Sequence, residues 1–412
     1  MRNASSGDSA RHLPAARAGG ACPCCGDADV RTVYEIGGVP TNSCISLTSR
    51  DEALAYPTGD IRLGFCCSCG FLFNQAFDPS LTEYSGRYEE TQAFSPTFNA
   101  FHERLAHDLV ERHELTDKDV LEIGCGKGEF LRLLCEAGGN RGLGFDPGYS
   151  KSRDAAPDAS YTVIRDFFSE RYADREADFV CSKMTLEHIP SPYQLLAAAA
   201  RVTRRPSGVL FVQVPEATRI VRDCAFEDIY YEHCSYFTAG SLARLLERLG
   251  LAVISDAVVY DGQYLIVEAV NCGEPSMHGS SRLDDVAELS RVLSTFARRS
   301  AAEIRRWRDL IGRWSAARKR IVIWGAGSKG VAFLHATGSA DAIAHAVDIN
   351  PHRQGCHMPV TGHEIVGPQQ LPALQPDVVI VMNRIYLPEI RRTLSAMDLR
   401  PELAALQPAD GT

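Results

Sequence analysis

The segment Asp228-Ile229-Tyr230-Tyr231-Glu232-His233-Cys234-Ser235-Tyr236-Phe237 packs carboxylate, imidazole, thiol and phenol groups into ten residues. A histidine beside a carboxylate can serve as a base that the carboxylate orients, and a tyrosine hydroxyl can hold a developing oxyanion. The plainer alternative is a bulky aromatic lid over a ligand. The segment follows a strand-like apolar run, Val209–Pro215, and open α/β sheets bind ligands beyond the carboxyl ends of their strands. Density and place together favour chemistry, with Tyr230, Tyr231, Glu232 and His233 as the expected catalytic group.

Such a group needs a neighbouring site to act on. Val120–Ile123 reads as a strand that enters a turn containing Gly124, Gly126 and Gly128, and a helix follows over Glu129–Ala137. Glycines allow a sharp turn and a close ligand approach. The next strand, Arg141–Phe145, ends in Asp146, where a carboxylate can accept from ribose hydroxyls as in dinucleotide folds. A dehydrogenase is the competing reading for this stretch alone.

Two CxxC pairs stand ahead of it, Cys22 with Cys25 and Cys66 with Cys69, each followed by glycine. Two such turns can complete a tetrahedron of thiolates around Zn2+, and four protein ligands leave no open position, so the metal would be structural. The chain has 14 cysteines. In a reducing compartment thiols pair with metal in preference to each other. Cys24 and Cys67 are spare.

The elements that position these groups fall into an α/β pattern. We expect a polar, disordered tail over 1–20, a zinc-binding domain over 21–80 and a Rossmann-like domain over 81–270. A helical linker over 271–318 and a second Rossmann-like α/β domain over 319–412 follow. Leu283, Val286, Leu289, Leu293, Phe296, Ile304, Trp307 and Leu310 recur at helical spacing, as one long helix or two shorter ones. The rear unit restarts with Ile321–Trp324 and a GxGxxG turn, Gly325, Gly327 and Gly330, with Lys329 inside it and Asp348 ending the next strand. It is too short for a complete dehydrogenase domain. It fits a half-Rossmann unit whose helix start and Lys329 receive a substrate phosphate. A purely structural or dimer-forming role is the equal alternative, and NAD redox chemistry ranks third.

At this point the chain resembles the sugar C-methyltransferases, class I S-adenosylmethionine-dependent enzymes that act on nucleotide-linked keto-deoxysugars in secondary metabolism. The resemblance rests on the glycine turn with Asp146, on Asp178–Pro190 (DFVCSKMTLEHIP), on the Tyr-x-Glu-His segment, and on Trp324–Val331, Val347–Pro351 and Val379–Ile390. It covers nearly everything after residue 20. It implies a class I methyltransferase core between a small front zinc domain and a C-terminal Rossmann-like domain. It further implies that Glu122 lies near the methionine end of the cofactor, that Asp166 contacts the adenine amine, and that His233 is the general base. Tyr230 and Glu232 would support His233. A tyrosine of the linker, Tyr88 in preference to Tyr84, would contribute. Glu187 and His188 read equally well as a helix-start pair. One stretch departs from the family: Tyr260-Asp261-Gly262-Gln263-Tyr264 stands where the sugar enzymes carry His-Gly-Gly-Ser-Leu-Arg.

The net charge of −9 disfavours a nucleic-acid partner. The longest apolar runs are too short to span a bilayer. The start of the chain lacks the apolar core of a signal peptide, so a cytoplasmic location is expected. The partner expected is a small molecule, and no signal for oligomeric state is present. An O- or N-methyltransferase of another metabolite, or a non-catalytic nucleotide-binding scaffold, are the alternatives to C-methylation.

Overall fold

The computed structural model describes residues 20–150, 160–271 and 284–406. The expected tail up to residue 19, and Leu283, lie outside them. Three sheets carry the architecture.

In the front unit β1 (Val30–Pro40), β2 (Thr58–Cys66) and β3 (Leu72–Asn74) form an antiparallel meander, with the short helix α1 (Arg50–Leu54) between the first two. The Ser49 side chain accepts from the Glu52 N–H and starts α1.

The central unit runs α2 (Pro96–Arg112), β4 (Asp119–Ile123), α3 (Glu129–Gly138), β5 (Arg141–Phe145), β6 (Tyr161–Ile164) and β7 (Phe179–Lys183). It continues α4 (Pro192–Val202), β8 (Val209–Pro215), α5 (Ala217–Arg222), β9 (Ser235–Tyr236), α6 (Ala239–Arg248), β10 (Leu251–Val259) and β11 (Tyr264–Asn271). The sheet order is β10-β11-β8-β7-β4-β5-β6, parallel from β8 to β6, with β11 antiparallel to both its neighbours. Apolar residues of β4, β7 and β8 are buried on both faces, as a sheet covered on both sides requires. The chain goes outward from β4 to β6 and returns to β7 on the other flank of β4. The crevice at their carboxyl ends is the topological switch point where ligands bind in such sheets.

β9 leaves this sheet. It pairs antiparallel with β3 of the front unit, Leu72 opposite Tyr236 and Phe73 opposite Ser235. The Asn74 N–H also donates to the Cys234 carbonyl at 2.9 Å. A front unit drawn at residues 21–80 thus omits a strand of its own sheet, and the Tyr-Glu-His segment is fixed from the front.

The rear unit opens with one continuous helix, α7 (Asp284–Ala316, 33 residues). Leu289, Leu293 and Phe296 pack into the front core beside Tyr34 and Phe65, whereas Trp307, Ile311 and Trp314 pack into the rear core. The helix therefore ties front to rear. Then follow β12 (Ile321–Trp324), α8 (Ser328–Thr337), β13 (His345–Val347), β14 (Ile365–Val366), α9 (Leu371–Leu374), β15 (Val378–Val381), α10 (Leu387–Ala396) and β16 (Glu402–Ala405). The five strands are parallel in the order β14-β13-β12-β15-β16, with a second switch point between β12 and β15. Among the described residues no helix is long and apolar enough to cross a membrane.

Candidate active site

The two switch points open into one cavity of about 950 Å3. At the central end lies the turn after β4. Gly124, Gly126 and Gly128 have φ of +74°, +56° and +80°, a region that favours glycine. A Cβ on Gly124 would lie 2.1 Å from Thr185 Oγ1, so the turn and the β7 exit are in close contact. Gly128 caps α3 without a side-chain acceptor, which leaves first-turn amides for a ligand.

Asp146 braces this turn, its Oδ2 accepting from the Gly126 N–H at 3.0 Å and its Oδ1 from the Gly148 N–H at 2.8 Å. Burial, with Glu90 adding to it, raises its carboxyl to about 6. Burial likewise raises Glu122 to about 7 against the opposing charge of Lys183, and Glu122 Oε2 has no hydrogen-bond partner. Lys183 Nζ lies over the Phe98 and Phe130 rings, 5.7 and 5.4 Å from their centroids. Asp166 accepts from Tyr172 at 2.7 Å and pairs with Arg171. Glu122, Asp146, Asp166 and Lys183 all line the cavity.

The middle of the cavity holds the aromatic cluster. His233 Nε2 and the Tyr230 hydroxyl are 2.8 Å apart, whereas His233 Nδ1 is buried without a partner. His188 stands edge-on to His233, ring centroids 4.8 Å apart, and the Tyr84 hydroxyl reaches His188 Nδ1 at 3.1 Å. Burial holds His188 down at about 4 and, reinforced by His188, holds His233 well below the usual imidazole value, so both rings are neutral. Burial keeps Tyr230, Tyr84 and Tyr88 well above the usual phenol value, so all three stay protonated. Glu187 Oε1 and Oε2 have no hydrogen-bonding partner in another residue, and burial raises the carboxyl to about 8.

Three expectations need correction. Tyr231 does not line the cavity. Its hydroxyl accepts from the Asp78 N–H at 2.8 Å and its ring covers Gly59, where a Cβ would lie 2.3 Å from the ring. It is a front-core residue, because the chain turns at Tyr231–Glu232 and carries its ring in among Tyr34, Ile61 and Phe65. Glu232 is also set back: it is fully buried, accepts from Asn42 Nδ2 at 3.3 Å, and is held by Ser43 and Tyr88. It does not line the cavity, whereas its neighbours Tyr88 and His188 do.

The third correction concerns Lys329, the expected phosphate ligand. Its Nζ lies 2.5 and 2.6 Å from the two oxygens of Asp228, which also pairs with Arg219. Burial would raise the Asp228 carboxyl, but Lys329 and Arg219 hold it below the usual range. The ion pair engages the ammonium, which still lines the cavity, and anchors the loop that carries Tyr230. Asp348 is engaged similarly, accepting from the Ala326 N–H at 3.3 Å and facing Arg353 Nη1 at 3.4 Å. Gly325, with φ of +113°, Gly327 and Gly330 form the turn, where a Cβ on Gly330 would meet the Gly325 carbonyl at 2.3 Å. The divergent Tyr260–Gln263 stretch reaches this domain: Gln263 and Asn383 exchange amide hydrogen bonds of 3.1 and 3.0 Å, and the Tyr260 and Tyr386 hydroxyls meet at 2.7 Å.

Sequence spacing did not single out Lys183, nor the Asn42–Ser43 turn behind Glu232. The one available signal for Lys183 was a lone cation ending an apolar strand.

Apart from the cavity, Cys22, Cys25, Cys66 and Cys69 converge, with their sulfurs all within 4.8 Å of one another. The Cys22–Cys69 and Cys25–Cys66 separations are 3.6 and 3.5 Å. A tetrahedral zinc with Zn–S of about 2.3 Å places sulfurs roughly 3.8 Å apart, so the set fits that ion, and it is too open for disulfides.

Comparison with known proteins agrees with this layout. Residues 98–256 match a family model described as a methyltransferase domain, and residues 283–400 match one described as the C-methyltransferase C-terminal domain. The C-methyltransferase NovU of Streptomyces niveus is 29% identical over 90% of this chain and 90% of its own. A ubiquinone biosynthesis O-methyltransferase of Saccharophagus degradans is 30% identical over 26% of this chain and 47% of its own. A solved 1,6-didemethyltoxoflavin-N1-methyltransferase of Burkholderia thailandensis aligns over 41% of this chain and 78% of its own, at 18% identity and a TM-score of 0.33. The chain is an S-adenosylmethionine-dependent methyltransferase. With the second model matched and the likeness to NovU running nearly end to end, it belongs among the C-methyltransferases that carry this C-terminal domain.

Proposed function

We propose that the chain methylates the carbon next to a ketone in a small acceptor, a nucleotide-linked keto-deoxysugar of secondary metabolism, with His233 as general base. One observation carries this: a neutral, buried imidazole, hydrogen-bonded to a protonated tyrosine, lines the same cavity as the glycine turn that suits the cofactor. Gly124, Gly126, Gly128 and the α3 amides would hold the cofactor, with Asp146 at its ribose, Asp166 at its adenine and Glu122 at its methionine end. When bound, S-adenosylmethionine supplies an electrophilic methyl group.

His233 Nε2 is the ring nitrogen that meets the Tyr230 hydroxyl, the donor suited to the carbonyl oxygen, so the base is Nε2. It takes the proton from the carbon alpha to the carbonyl. The Tyr230 hydroxyl, released from Nε2, donates to the carbonyl oxygen as that oxygen gains charge. Tyr84 and His188 flank the pair, and Glu232 fixes Tyr88 from behind. Gly325, Gly327 and Ser328, with Asn350 and Asn383, offer a polar wall for the nucleotide part. Lys329 steadies the Tyr230 loop.

Incubating nucleotide-linked 4-keto-deoxysugars with the chain and S-adenosylhomocysteine in D2O tests the base. Deuterium should enter the carbon alpha to the ketone. Methylation at oxygen or nitrogen with no such exchange would overturn the reading.

Asp146 gives a second expectation. Its raised value of about 6 means the carboxyl is neutral below that pH and ionised above it. Only the ionised form is an acceptor toward both ribose hydroxyls. S-adenosylhomocysteine should therefore bind about tenfold more tightly at about pH 7 than at about pH 5. Titration calorimetry checks this, and Asp146→Asn should flatten the dependence.

We also propose that the four cysteines hold structural Zn2+. Metal analysis should return about one zinc per chain, and its removal by a chelator should unfold the front sheet. A zinc-free chain with an unchanged melting temperature would refute it.

A further inference from the structure

A second cluster of metal-ligating side chains lies inside the active cavity, well apart in chemistry from the four cysteines. Glu187, His188 and His233 each present a ligand atom, all within 4.8 Å of one another. All three line the cavity, so an ion has a route in. Two features set the cluster apart from a chance grouping. Neither Glu187 oxygen has a hydrogen-bonding partner in another residue, although the side chain is 1% exposed. His233 Nδ1 is unpartnered as well, in a residue 4% exposed. Buried polar atoms are rarely left so, and three in one cluster mark a place where something else satisfies them. The local chain is built to hold the set: Leu186–His188 is a single 3-10 turn, and the Cys234 thiol donates to the Glu187 carbonyl at 3.7 Å, tying that turn to the His233 loop.

We propose that Glu187, His188 and His233 form a divalent transition-metal site, and that filling it switches the base off. Two imidazoles and one carboxylate on a single face suit Zn2+, Co2+ or Ni2+ and leave further positions open to solvent or acceptor. The effect on chemistry follows from the ring itself. Ligation through Nε2 uses the lone pair that would take the proton, and ligation through Nδ1 leaves the ring proton on Nε2. Either way a metal-bound His233 cannot act as a base. The cation is therefore an inhibitor that competes with deprotonation. The site's existence does not depend on the role proposed for His233; only its effect on turnover does.

The test uses the full chain, isolated with zinc in its cysteine site, and Co2+ as the probe. Co2+ should bind with weak visible d–d bands and without the intense near-ultraviolet band of cobalt–thiolate, which separates this site from the cysteines. Proton NMR of the same sample should show two exchangeable imidazole N–H signals shifted by the ion. Glu187→Gln should weaken Co2+ binding by more than about tenfold while S-adenosylhomocysteine still binds. Absence of the d–d bands, or of shifted imidazole signals in the unaltered chain, would overturn the site. So would Co2+ binding left undiminished in Glu187→Gln. Bound Co2+ that fails to slow alpha-carbon exchange would overturn the inhibitory role alone.

Discussion

His233→Asn should lower methyl transfer by about two to four orders of magnitude, the usual worth of a positioned general base, while S-adenosylhomocysteine affinity stays within about threefold. Asparagine keeps a polar group of similar reach beside Tyr230 but cannot take up a proton near neutral pH. The prediction has a second half. The same variant should abolish deuterium exchange at the acceptor's alpha carbon, because exchange needs the base but not the methyl donor. Tyr230→Phe should fall less in exchange than His233→Asn, since it removes a donor to the carbonyl oxygen and leaves the base. Steady-state rates together with exchange measured by NMR check both halves. Undiminished turnover in His233→Asn would remove the base assignment.

Gly124→Ala should weaken S-adenosylhomocysteine binding by roughly a hundredfold, or about 3 kcal/mol. A Cβ there would sit 2.1 Å from Thr185 Oγ1, and the backbone φ is +74°. Thr185 must move, and it immediately precedes the turn bearing Glu187 and His188, so the bend and the chemistry shift together. Gly139→Ala is the matched control. It has φ of +63° but nothing within 4 Å of a Cβ, so it should lose only about 1 kcal/mol of stability and no affinity. Equal affinity losses in both variants would mean that left-handed strain, and not the close approach, explains the effect.

The contrast between these sites shows what a sequence discloses. Gly124 and Gly330 were readable because a strand, a glycine-lined turn and a helix are local, and the need for glycine is written beside the strand that causes it. The two Rossmann-like units followed from such local patterns, and the class I core from the family resemblance. Tyr230 and Tyr231 were not separable. They differ in partners: the Tyr231 hydroxyl is held by Asp78, 153 residues earlier, in the front unit, whereas the Tyr230 hydroxyl meets His233 in the cavity. Lys329 looked like a phosphate ligand for the same reason. Its partner Asp228 lies 101 residues away, and no spacing rule links them. His188 gained its importance only when its ring met that of His233. Charge pairing and ring contacts across units are tertiary facts, whereas turns and strand ends are local ones.

The central claim is that the glycine turn after β4 presents the methyl donor to the Tyr230–His233 pair. A crystal structure with S-adenosylhomocysteine bound tests it directly. The account predicts adenosine between Asp146 and Asp166, with the sulfur facing the Tyr230 hydroxyl and the His233 ring across an open space sized for the acceptor. A sulfur turned away from His233, or a cofactor lodged at the rear turn of Gly325–Gly330, would contradict it.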